Sequence, residues 1–204
     1  MALLARMTDP RLNIGCGRQV HPEWVNADTD AYDTWPADYR ILFEGDTDAP
    51  QAGDVIQLAG PGFPWPDSTF AGIACHHVLQ MIPYPQLVPW LAELRRVTEP
   101  GGWLRVSVPD LMRAISAHRR NDSAWFPIAD DLEPTVGGKF CLYLSQAGGT
   151  RSVFTVPWLR DLLERAGWQA PQVAYPGTQS DGTPEWLHQL DSRPHESVFM
   201  EAFA

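Results

Sequence analysis

The chain has 204 residues, 44% of them hydrophobic and 20% charged; this is a globular composition, long enough for a full core, and it excludes a disordered or collagen-like protein. With 25 acidic and 15 basic residues the net charge is -10, a field that repels phosphate backbones and disfavours nucleic acid as a partner. No apolar run reaches the ~18 residues of a membrane span, and three cysteines with no C-x-x-C pair argue against a disulfide framework or a cysteine zinc site and for a reducing, cytoplasmic compartment.

The first strand is expected over 11–14, where Arg-Leu-Asn-Ile is stopped by Gly15-Cys16-Gly17. A second covers 24–27 and runs into Asp28. Residues 31–53 are rich in Asp, Pro and Gly, with a weak helical signal over 34–43. A third strand is expected over 54–58. The proline-rich run 60–66 cannot be helix interior, and a fourth strand follows over 70–75. The clearest helix spans 85–97. There Leu87, Val88, Trp90, Leu91, Leu94 and Val97 fall on one face of a 3.6-residue period, and Pro100-Gly101-Gly102 stops it.

A buried strand over 103–108 and a helix over 111–119 come next. Arg113, His118, Arg119 and Arg120 read as cations at the negative end of that helix. Asp110 either caps the helix or lines a pocket. Residues 121–154 carry mixed signals and read as an insertion or lid within a single domain spanning 1–204. Thr155 stands where it can cap a helix over 157–166, with Trp158, Leu159, Leu162, Leu163 and Ala166 inward. Strands over 169–174 and 197–203 are joined by a loop with no helical period, so they are free to pair antiparallel.

Strands alternating with helices predict an α/β, Rossmann-like, doubly wound and mostly parallel sheet of seven strands, the last antiparallel. Such sheets bind ligands beyond the carboxyl ends of their strands. That rule gathers Gly15–Gly17, Asp28, Leu58 and residues 75–77 around one crevice. Gly15 and Gly17 permit a tight turn and close approach of a ligand to backbone N–H groups. Asp28, 11 residues after Gly17, can accept hydrogen bonds from both hydroxyls of a ribose. The plainer alternatives are a turn at 15–17 and a turn-forming or capping carboxylate at 28. No histidine spacing matches a zinc motif, and adjacent His76 and His77 diverge on any regular backbone, so no metal site is expected.

Leu12-Asn-Ile-Gly-Cys-Gly17, followed by Trp24-Val-Asn-Ala-Asp28, resembles the opening of class I S-adenosylmethionine-dependent methyltransferases, and within them a compact bacterial and phage branch. The resemblance continues through residues 63–70, His77-Val-Leu-Gln-Met-Ile82, the run from Leu94 to Asp110, residues 158–168 and the tail 193–201. Residues 121–154 and 175–190 lie outside it. The resemblance implies S-adenosylmethionine as cofactor and methyl transfer as activity. It places Gly15, Cys16 and Gly17 along the methionine part of the cofactor and Asn13 where relatives hold its amine indirectly. Asp28 takes the ribose hydroxyls, and Gln57 and Leu58 lie at the adenine edge. Cys75 and His76 face the sulfonium end, and His77 is the candidate base near the methyl.

The chain also departs from the pattern. Gln19 replaces the third glycine, six residues between Gly17 and Trp24 leave no room for a long first helix, Gln57 replaces an Asp, and Gln80-Met81 replaces Glu-His. Three readings compete. The favoured one is methyl transfer to a small-molecule or sugar-like acceptor by in-line displacement, with no nucleic acid or membrane involved. The second is a non-catalytic binding or assembly module on the same fold. The third, a nicotinamide-dependent reductase, lacks the third glycine and the long helix it needs. Trp35, Trp65, Trp125 and Trp186 fall in expected loops, where they could face an acceptor.

Overall fold

A computed structural model describes residues 4, 7–17, 19–28, 55–58, 62–146 and 149–204. The elements in order are β1 (Arg11–Ile14), β2 (Val25–Asp28), β3 (Val55–Gln57), β4 (Phe70–His76), α1 (Tyr84–Val97), β5 (Thr98–Pro109), α2 (Leu111–Arg119), α3 (Val136–Ser145), α4 (Val156–Arg165), β6 (Gln169–Ala174) and β7 (Ser197–Phe203). The seven strands form one sheet in the order β3-β2-β1-β4-β5-β7-β6. The first five pair in parallel, and β7 runs antiparallel between β5 and β6. The expected fold class is therefore the observed one. The helical signal at 34–43 and Trp35 lie outside the described residues.

Strand alternation gives the sheet two chemically different faces. Leu12, Ile14, Val25, Ala27, Ile73, Cys75, Leu104, Val106, Val108, Val198, Met200 and Ala202 make one apolar surface. It packs against Leu87, Leu91 and Leu94 of α1 and Leu159, Leu162 and Leu163 of α4. Fully buried leucines of this kind contribute about 1.5–3 kcal/mol each, so this layer drives the fold. The helical periods read from the sequence at 85–97 and 157–166 belong to the two helices that cover it. Thr155 sits at the cap of α4 without a side-chain capping bond. Asp110 does cap α2, its Oδ1 accepting from Met112 N at 2.9 Å.

The opposite face carries polar side chains that are nonetheless buried: Asn13, Asn26, Asp28, His76, Arg105, Ser107, Ser197 and Glu201. Among the described residues no helix covers this face. Its cover is the segment expected to be a plain connection between the last two strands. That segment holds a short 3-10 turn, Glu185–His188, and presses Trp186 and Leu190 onto Trp24 and Ala74. Trp186 stands edge-on to Trp24 with ring centroids 5.6 Å apart, and the Arg11 guanidinium lies 4.7 Å from the Trp186 ring centroid. The indole sits where a side chain at position 72 would be: a Cβ on Gly72 would fall 2.2 Å from Trp186 Cη2. Gly72→Ala is therefore expected to cost about 1–3 kcal/mol by overpacking. Urea unfolding checks this, and adding Trp186→Leu should recover part of the loss.

Residues 121–154 are a packed layer in their own right. Trp125, Phe126, Ile128 and Tyr143 close over Ala114 and Ala117 of α2. The buried Lys139 on α3 pairs with Asp130 at 2.5 Å. Two tryptophans expected to be available to an acceptor are core residues instead: Trp65 is 5% and Trp125 7% exposed. Trp186 is spent on the sheet face. The apolar area of an indole favours burial wherever a neighbouring surface can take it.

Candidate functional site

The carboxyl ends of β1, β2, β3 and β4 meet along one rim. In β1 and its neighbours, Ile14 pairs with Ala27 and with Cys75, while Asp28 pairs with Gln57. Beyond Ile14 the chain turns through Gly15 and Gly17, both at positive φ (68° and 50°), a conformation that costs glycine little. Gly15 is needed twice over, since a Cβ there would fall 2.1 Å from Val78 Cγ2. Among the described residues a Cβ at Gly17 would meet nothing within 4 Å, so none of them closes off the backbone at that point.

Asp28 is bound into the same turn. Its Oδ2 accepts from the Gly17 N–H at 2.8 Å, and its main-chain carbonyl accepts from Leu58 N at 2.8 Å. Cys16 is close enough that burial, with the Asp28 charge adding to it, pushes the thiol up to about 12. It is a protonated, inert sulfur at neutral pH. Asn13 donates to Gln19 O at 2.6 Å and to Asn26 Oδ1 at 3.0 Å. Asn26 in turn accepts from His21 N and donates to His21 O, both at 3.0 Å. These two amides knit together the short β1–β2 connection in place of a helix. No helix dipole is available at this turn among the described residues. The acidic side chain at this turn is Asp28.

The end of β4 differs from its sequence expectation. The Cys75 side chain lies wholly in the apolar layer, where burial raises its pKa. His76 points to the polar face. Its Nδ1 is 2.8 Å from Ser107 Oγ, its ring packs 5.9 Å from Phe199, and its Nε2 is 3.9 Å from Asp191 Oδ1. Strand alternation sends one of these side chains into each sheet face.

His77 is the better-placed group. It leaves the strand at φ 55°, a left-handed backbone uncommon outside glycine and concentrated at functional sites. Its Nε2 lies 2.7 Å from Ser197 Oγ, and the Ser197 hydroxyl donates to Arg193 O at 2.8 Å. The single hydroxyl proton is thus committed, and His77 must donate from Nε2. Nδ1 therefore carries the lone pair, and it is a buried nitrogen with no hydrogen-bond partner. Burial, then the Arg193 and His76 charges, hold the ring well below its ordinary pKa. It is neutral at pH 7.

Both histidines are depressed, and His76 is lowered to about 4, chiefly by burial. The unfolded chain then binds more protons than the folded one below the ordinary value of 6.5. Stability should be fully present above pH 6.5 and fall on acidification, by about 1.4 kcal/mol per pH unit for each histidine until its folded pKa is reached. Melting temperatures between pH 7.5 and 5 measure this slope. His76→Asn should make it shallower, and an unchanged slope would contradict the assignment.

Sequence reasoning missed the supports of this region. Ser197, Arg193 and Asp191 come from the far end of the chain and reach the β4 end only through the β5–β7 pairing. Arg105 is completely buried. Its Nε donates to Asp191 Oδ1 at 2.6 Å and its Nη2 to Tyr175 O at 2.8 Å, and it also binds Glu201. A signal was present: Arg105 and Glu201 each interrupt an otherwise apolar strand, and an unaccompanied charge there would be prohibitively costly.

Among the described residues no group of three or more His, Cys, Asp or Glu is placed to hold a metal ion, and no helix is long and apolar enough to cross a membrane. The residues at the rim do suit an adenosyl group. They offer a carboxylate for ribose hydroxyls, an exposed Gln57 amide on the neighbouring strand, and the backbone turn at Gly17.

Residues 12–106 match a family model described as a methyltransferase domain. No curated protein matches the chain. Among solved structures it is similar to an S-adenosylmethionine-dependent methyltransferase from Archaeoglobus fulgidus, at 12% identity and a TM-score of 0.56, covering 96% of this chain and 86% of that one. A methyltransferase from Thermotoga maritima gives 14% identity and a TM-score of 0.50, covering 99% and 86%. One from Aquifex aeolicus gives 14% and 0.50, covering 96% and 81%. At these identities the structural likeness speaks to the fold.

Proposed function

We propose that this chain is a class I S-adenosylmethionine-dependent methyltransferase, a reading supported by the family match at residues 12–106 and by the shared fold, and that it methylates a small-molecule acceptor brought to the carboxyl end of β4. The observation that carries this is the convergence on one rim of the Gly15–Gly17 turn, the Asp28 carboxylate and the strained, neutral His77. When bound, the cofactor supplies a methyl group on a positively charged sulfur, a good leaving group.

The chain's own residues then bind and align. The Gly15-Cys16-Gly17 backbone borders the methionine part, with Asn13 holding that turn in shape. Asp28 accepts from the ribose hydroxyls and is itself oriented by the Gly17 N–H. Gln57 and Leu58 flank the adenine, and the main chain of Cys75 and His76 closes the rim. In-line transfer needs the acceptor held in place and water kept out. As the acceptor gains the methyl it must shed a proton, and Nδ1 of His77 is the base positioned to take it.

The net charge of -10 supports a small acceptor over a nucleic acid. Trp65 and Trp125 are committed to the core and are not available to stack on a sugar. Free thiols at Cys16, Cys75 and Cys141 suit a cytoplasmic place of action. The test is incubation with methyl-labelled cofactor and a lysate split by size. Label is expected in the small-molecule fraction. Label in nucleic acid, or in no fraction while the cofactor product still binds, would contradict the proposal, and the latter result would support the non-catalytic module.

A further inference from the structure

We infer that Gln80 is a positioning residue for methyl transfer: its side-chain amide holds His77 in the left-handed backbone conformation and thereby sets Val78 against the Gly15 turn. This deepens the methyltransferase reading above and rests on it, since that reading lays the methionine part of the cofactor along the same turn.

A left-handed residue other than glycine persists only where its surroundings hold it. His77, at φ 55°, is held at three points. Its N–H donates to Ser107 O at 2.9 Å, its ring Nε2 donates to Ser197 Oγ at 2.7 Å, and its carbonyl accepts from Gln80 Nε2 at 2.7 Å. The first two bonds fix the residue to the sheet. The third orients the peptide between His77 and Val78, and so aims the chain as it leaves β4. The next contact is a close one. Val78 Cγ2 fills the space of a side chain at position 15, where a Cβ would fall 2.1 Å from it. Rotation of that peptide therefore moves the Val78 side chain against the Gly15 turn.

Gln80 is itself held in place. It is 3% exposed and lies in a short 3-10 turn, Leu79–Met81. Its main-chain carbonyl accepts from Arg151 N at 2.7 Å and from Ser152 N at 3.2 Å, and Ser152 Oγ donates to Ile82 O at 3.0 Å. The returning end of the 121–154 layer thus braces the turn that carries the amide. The chemistry of the side chain matters here. The pattern that the sequence resembles has glutamate at this position, and an ionised glutamate has no donor for the His77 carbonyl.

The test is calorimetric titration of the full chain with S-adenosylhomocysteine. Gln80→Met keeps the length of the side chain and removes the donor, and affinity is expected to fall about fivefold to tenfold, the effect of one hydrogen bond. Gln80→Glu makes the donor titratable. Burial raises the pKa of a carboxyl group, and only its protonated form can donate. This variant should bind better than Gln80→Met at pH 6 and lose that advantage by pH 8, a range above the lowered pKa values of both histidines. Ser152→Ala loosens the same turn without touching His77 and should keep native affinity. In 15N spectra the His77 ring should be a single Nε2–H tautomer in the native chain and a mixture in Gln80→Met. Native affinity or an unchanged ring spectrum in Gln80→Met, or an affinity of Gln80→Glu that does not fall between pH 6 and 8, would overturn the inference, and the last decides alone if the Met variant does not fold. Failure of S-adenosylhomocysteine to bind the native chain would instead overturn the reading beneath it.

Discussion

Asp28→Ala is expected to weaken S-adenosylhomocysteine binding by about 1.5–3 kcal/mol for each charge-assisted hydrogen bond it removes, roughly tenfold to a hundredfold per bond. The size follows from the site's construction. No helix dipole reaches this turn among the described residues, so on the proposed reading ribose recognition falls to the anionic group at the end of β2. It is also held in one orientation by the Gly17 N–H at 2.8 Å, so little rotamer freedom is left to lose on binding. Asp28→Asn separates the roles. An amide oxygen can still accept from Gly17 and keep the turn, but an amide nitrogen cannot accept from a hydroxyl. Asn should therefore preserve the melting temperature and still lose most of the affinity. Calorimetric titration of both variants decides it. Native affinity in either would show that the ribose lies elsewhere.

The second large effect concerns stability. Arg105→Met is expected to cost about 3–5 kcal/mol, because it leaves the carboxylates of Glu201 and Asp191 buried without their cation. For a chain of this size that lowers the melting point by about 6–20 °C. Glu201 is fully buried, and Asp191 exposes only 6% of its side chain, so water cannot substitute. The double variant Arg105→Met, Glu201→Met should recover much of the loss, since well-packed apolar residues often replace a buried pair without penalty. A loss below about 1 kcal/mol in the single variant would mean that the network is hydrated and structurally idle.

These two expectations draw on different parts of the chain, and the sequence disclosed them unequally. Local patterns were readable. The period of Leu87, Leu91 and Leu94 placed α1, and the break at Gly15–Gly17 ended β1. The run 169–174 and the tail 197–203 formed strands with the expected bounds. The rim was readable as well, because strand ends in this architecture converge by geometry alone.

What the sequence concealed was long-range. Nothing local to residues 175–191 showed that Trp186 would lie on Gly72 or that Asp191 would meet Arg105, 86 positions away. Ser197, which sets the tautomer of His77, is 120 positions from it. The side-chain directions of Cys75 and His76 were hidden for a related reason. Their position on the strand was right, but alternation turns adjacent side chains to opposite faces, and the polar face proved to be closed by a distant segment.

A crystal structure of the chain with S-adenosylhomocysteine tests the central claim most directly. The account predicts the adenosyl group over the ends of β1, β2 and β3, with its ribose hydroxyls within hydrogen-bond distance of Asp28 and its sulfur facing His77. A nucleoside bound elsewhere, or none at millimolar ligand, would contradict it.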